Sequence, residues 1–262
     1  MIMKSKLKVV KSLIKIALLQ TISFRLDTLF GIISSILWLG IPIAFFKVIY
    51  LNVDTIGGWT YKECLLLVGV YTMLDGFLMA FLVKSMPKME KDIREGTLDS
   101  ILLKPINAKV YYFFSAIEFT QLINSVLGLF VIIYACQGIS VNIGQVLFFL
   151  LSCVFGCILY YSLWYLWTIS AFWFPTNFGR NDLFLSMIQM SRYPASIYRG
   201  LGNIIFNFIL PFGLIACPAT IILIRPRQWQ IMLLQLLIAL VFLFLDHWVW
   251  NLGLRKYNGA GR

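Results

Sequence analysis

Six stretches of this chain are apolar for long enough to cross a hydrocarbon core, which takes about 20 residues of helix. They cover residues 29–50, 61–83, 111–134, 145–174, 204–224 and 228–252. In lipid the backbone must find its hydrogen-bond partners inside the protein, so such stretches are confined to helices. The sequence therefore predicts an all-α integral membrane protein, one transmembrane domain over residues 1–262 with six spans. With 60% hydrophobic residues there is too little polar surface to cover a water-soluble fold. A net charge of +11 would suggest nucleic acid in a soluble chain. Here the basic residues flank the spans, so membrane lipids are the expected partner and nucleic acid is not.

Residues 1–28 open with lysines at positions 4, 8, 11 and 15, which stack on one helical face opposite Val9, Leu13 and Ile16. That pattern suits an amphipathic helix in the membrane interface. The fifth run contains Pro211 and Pro218 and is expected to be broken or re-entrant. Residues 84–109 and 177–203 form the expected cytoplasmic loops. With both termini cytoplasmic, eighteen Lys and Arg fall on that side and four on the other, the bias that sets orientation. The expected location is a bacterial plasma membrane. The five cysteines lie in or beside apolar runs, and Cys153 and Cys157, a helical turn apart, are joined by no His or carboxylate as ligands, so neither disulfides nor a metal site is expected.

A charged island, KDIREGTLDSILLKP over 91–105, interrupts this apolar chain. Residues 88–95 can form a short helix ended by Gly96 in a left-handed cap. Thr97 can cap a second helix, with Asp99 near its positive end. Leu98, Ile101 and Leu102 then form one apolar ridge, and Pro105 stops the helix. By periodicity alone this is either a docking helix for another protein or a connector resting in solvent or on headgroups.

The stretch REGTLDSILLKPIN, with Gly96, Leu98, Asp99, Leu102, Leu103, Lys104 and Pro105, resembles the signature loop of permeases of the type-2 ATP-binding-cassette exporter class. SRYPASIYRG (191–200) and the C-terminal Gly253 to Tyr257 are similar to lesser motifs of the same group, and the resemblance runs through the whole chain in span order. It implies an exporter permease whose short coupling helix, with Glu95, Gly96, Leu98, Asp99, Ile101, Leu102, Lys104 and Pro105, docks on a separate ATP-binding subunit. It also implies a second permease subunit, identical or related. No G-x-x-x-x-G-K-[ST] phosphate loop occurs here, so ATP and Mg are expected in the partner, with no catalytic site or cofactor in this chain.

Polar residues within the spans are the other candidates, because ionisable groups there are costly. Asp75 lies deep in the second span. Ser115, Glu118, Gln121 and Ser125 fall at helical spacing in the third, as a pathway or an interhelical seam. Tyr160 and Trp164 share a face of the fourth, as interfacial aromatics or a wall for amphiphilic substrates. Asp246 and His247 suggest a paired structural group. An ion-coupled secondary transporter using these carboxylates is the alternative function. A membrane-embedded enzyme is disfavoured, since the single His matches no catalytic motif.

Overall fold

The computed structural model describes residues 11–16, 18–19, 25–175 and 179–257. Of the expected N-terminal amphipathic helix, residues 11–16 are helical, and Lys4 and Lys8 lie outside the described residues. The helices are α1 (Arg25–Ile49), α2 (Tyr61–Leu82), α3 (Ser85–Glu95), α4 (Asp99–Leu102), α5 (Ala108–Ser115), α6 (Leu122–Ala135), α7 (Ile143–Ile169), α8 (Arg180–Ile188), α9 (Leu201–Ile204), α10 (Gly213–Ile224) and α11 (Ile231–Lys256). Four of them, α1, α2, α7 and α11, are long and apolar enough to span alone.

Local sequence sets several of these boundaries. At the start of α7, Asn142 Oδ1 accepts from the Gln145 N–H at 2.8 Å while Gln145 Oε1 accepts from the Asn142 N–H at 2.8 Å. Glu63 reaches back to the Thr60 N–H at 2.7 Å at the start of α2. Both satisfy amide donors that a helix N-terminus leaves open.

The centre of the bundle is the pairing of α2 with α6, which glycine allows. A Cβ on Gly128 would run into the backbone of Met73 and Gly69, and one on Gly76 would lie 2.7 Å from Asn124 Cβ. Ser125 Oγ closes the seam by donating to the Met73 carbonyl at 2.9 Å. Small residues let membrane helices approach closely enough for dispersion and backbone contacts to hold them.

Two apolar runs are broken. The third bends by 74° between α5 and α6, and the fifth bends by 88° between residues 201–209 and α10. Glu118 therefore lies in a non-helical break (φ −108°, ψ 88°) and not on a continuous helical stripe. Its N–H donates to the Ala80 carbonyl at 2.7 Å, and its carboxylate pairs with Lys84.

The path of 180–197 overturns its expected placement as part of a second cytoplasmic loop. It runs antiparallel along α2 from one end to the other. Arg180 bonds Glu90, just past the C-terminal end of α2. Arg192 lies over the ring of Tyr71, in the middle of α2. Ser196 bonds the Gly57 carbonyl, just before α2 begins. This polar segment thus traverses the bundle alongside α2, the fifth crossing of the bundle in chain order. The fifth apolar run starts beyond Ser196 and ends at Arg225, whose guanidinium donates to the Gly58 carbonyl at 3.0 Å. Both its ends lie at the same end of the bundle, so it is a re-entrant hairpin, the broken form its two prolines suggested.

The helix that follows the hairpin repairs it. Pro218 has no N–H and leaves the Leu214 carbonyl, four residues earlier, without its helical donor. Gln235 Nε2 of α11 donates to that carbonyl at 2.8 Å, and Gln235 Oε1 accepts from Ser152 Oγ of α7 at 2.6 Å.

Candidate functional site

The charged island folds as α3, a left-handed Gly96 (φ 76°), and α4. Glycine is needed at that cap because a side chain is strained at positive φ. Thr97 does not cap α4. Its hydroxyl donates to Asp92 Oδ1 at 2.9 Å, while Tyr112 of α5 donates to Asp92 Oδ2 at 2.8 Å. Asp92 thereby ties the turn to the helix that follows it.

The expected apolar ridge is split. Leu98 and Ile101 are buried in the chain's own core, so they anchor α4 and do not face outward. Leu102 is 41% exposed and Leu103 86% exposed, beside exposed Glu95, Asp99, Lys104 and Pro105. Gly96 is buried beneath them. Helical register would set Leu102 beside Leu98, one turn earlier, so the packing beneath α4 and not its register buries Leu98 and Ile101 and leaves Leu102 out.

One connection that the sequence did not signal fixes the island to the bundle. The buried Glu90 of α3 forms an ion pair with Arg180 at 3.1 Å and also accepts from Asn181. Arg180 in turn donates to the Phe174 carbonyl, and Trp167 Nε1 donates to the Arg180 carbonyl at 2.7 Å. At the C-terminus, Tyr257 packs edge-on to Phe172 at 5.9 Å. Partial burial, then the nearby Asp99 of the island, raise the Tyr257 phenol above its ordinary pKa.

Among the intramembrane candidates, Asp75 is buried and central. Its Oδ1 accepts from Tyr160 at 2.8 Å and from Tyr71 at 3.1 Å. Arg192 lies over the rings of Trp38 at 4.8 Å and Tyr71 at 5.1 Å, close enough to act on the Asp75 charge. Tyr160 and Trp164 are fully buried and do not form a wall open to a substrate. Trp164 stacks on Phe184 at 5.2 Å and donates to Asn181 Oδ1 at 2.9 Å, so the aromatic face anchors the fifth crossing.

The break at Glu118 separates the members of the supposed stripe. Ser115 Oγ donates to the Tyr112 carbonyl at 3.1 Å, Glu118 accepts from Thr120 at 3.0 Å, and Gln121 Oε1 accepts from Asn124 at 3.2 Å. Asp246 and His247 point apart: buried Asp246 accepts from Ser162 at 2.8 Å, while exposed His247 meets Asn251 at 3.0 Å. They are not a pair.

No curated protein and no solved structure matches this chain. One family model does: that of the ABC-2 family transporter protein, over residues 36–261. This covers most of the chain, including the island, both broken runs and the polar crossing. The chain belongs to the ABC-2 transporter family and is a multi-pass membrane transport component.

Proposed function

We propose that this chain is the membrane-spanning subunit of an ATP-driven exporter, worked by a separate ATP-binding-cassette subunit docked on the island tip. The observation that carries the reading is Leu103, an exposed leucine on a tip whose neighbours Leu98 and Ile101 are locked into the core. A protruding apolar side chain with a charged rim suits a groove on a partner. Its rigid attachment through Glu90 to Arg180 would carry motion of that partner into the fifth crossing, a rigid-body form of switching.

The fifth crossing has exposed polar residues, Asp182 and Ser186. At membrane depth such a face belongs against water or another subunit, which supports a path shared with a second permease chain. ATP and Mg would be held by the ATP-binding partner. With both termini cytoplasmic, the tip would meet that partner at the inner face of the cell membrane.

The test is copurification with the ATP-binding subunit from detergent-solubilised membranes. Leu103→Asp with Leu102→Asp should abolish the association while membrane insertion and thermal stability persist. An undiminished yield of the ATP-binding subunit would overturn docking at this tip.

A further inference from the structure

Between α1, α2, α6 and α8 lies a half-open cavity of about 290 Å³. Its chemistry is carried by Ser34, Ser35, Trp38, Asp75, Asn124 and Gln189. The amide nitrogens of the last two are already committed. Asn124 Nδ2 donates to Gln121 Oε1 at 3.2 Å, and Gln189 Nε2 donates to the Leu185 carbonyl at 3.2 Å. Their carbonyl oxygens are buried and have no hydrogen-bond partner among the described residues. Leaving a buried acceptor unsatisfied is costly, so two on one cavity wall point to a missing donor. Asp75 adds a carboxylate, fixed in place by Tyr71 and Tyr160. Trp38, 45% exposed, completes the lining.

We propose that this cavity binds a protonated primary amine carried by the transported substrate, an inference that rests on the permease reading above. An ammonium group brings three donors and no acceptor, which matches two amide carbonyls and a carboxylate. A hydroxyl brings one donor for these three acceptor groups, and a carboxylate brings only acceptors beside Asp75. The volume is at the small end for a ligand pocket, so it takes the amine-bearing end of a molecule and not a whole large amphiphile. Arg192, held on the rings of Trp38 and Tyr71, offsets the charge of Asp75. Selectivity therefore comes from the excess of acceptors, and a further carboxylate on the wall should strengthen binding.

The experiment uses the full chain in lipid nanodiscs and follows tryptophan fluorescence. The probe is a small nitroxide quencher bearing a primary amine, compared with the same nitroxide bearing a hydroxyl or a carboxylate. The amine form should quench saturably, the saturable part should vanish in Trp38→Phe, and the other two forms should show only linear quenching. Gln189→Glu should tighten the amine form by about tenfold, the difference between a neutral and a charged acceptor. Gln189→Met should weaken it by about tenfold on the same ground. Misfolding cannot produce a gain of affinity, so Gln189→Glu keeps the test decisive. Equal saturable quenching by the hydroxyl form, or no tightening in Gln189→Glu, would overturn the proposal. The assay contains no ATP-binding subunit, so its failure leaves the permease reading standing, and failure of docking leaves amine binding standing.

Discussion

Ser196 donates its hydroxyl hydrogen to the Gly57 carbonyl at 2.8 Å, joining residues 139 apart in the chain. Gly57 belongs to the link between the first two spans, and φ there is 58°. A Cβ at Gly57 would also strike Ser196 Oγ. The contact fixes which side of the membrane residue 196 reaches.

Cysteine labelling tests that placement. In a background without the native cysteines, Asp54→Cys and Ser196→Cys should label from the same side, and Leu103→Cys from the opposite side. Labelling of Ser196→Cys together with Leu103→Cys would restore the cytoplasmic loop expected from the sequence.

Glu90 and Arg180 are both buried, so removing either alone leaves an uncompensated charge. Arg180→Met should cost about 3–5 kcal/mol. Glu90→Leu combined with Arg180→Met should recover most of that loss. The thermal unfolding midpoint in detergent reads both, and a double variant no better than the single one would deny the pair its assigned role.

Gly128 has no space for a methyl group, because the backbone of α2 occupies it. Gly128→Ala should destabilise by roughly 1–3 kcal/mol through forced separation of α2 and α6. Gly40 has nothing within 4 Å of an added Cβ, so Gly40→Ala serves as the control and should leave the melting temperature unchanged or raised.

Gln235 replaces the donor that Pro218 lacks. Gln235→Leu should cost about 1–3 kcal/mol for each polar group left unpaired, here the Leu214 carbonyl and the Ser152 hydroxyl. In a Pro218→Ala background the helix supplies its own N–H to Leu214, and the same substitution should cost measurably less. Additive losses in this double-mutant cycle would show that the two residues are not coupled.

Hydropathy alone determined that this chain lives in lipid, because long apolar runs have no other stable solvent. Four of those runs became unbroken helices. The island was also legible, since a charged stretch with Gly96 and Pro105 must leave the apolar phase. Its glycine cap formed as the residue type requires, whereas the inward turn of Leu98 and Ile101 depended on what α3 and α5 placed beneath them.

Tertiary structure alone decided the path of the fifth crossing. Residues 180–197 contain Arg180, Asp182 and Arg192 and read as a loop, because hydropathy reports the preference of a segment for lipid. Its key side chains instead find partners in protein: Arg180 is paired by Glu90, Arg192 rests on two rings, and Phe184 packs among Tyr160, Trp164 and Phe212. The reverse holds for 204–224, apolar enough to span but returning to the end where it began. Apolar composition permits burial in lipid, but only the partners of each polar and backbone group decide whether a segment crosses it.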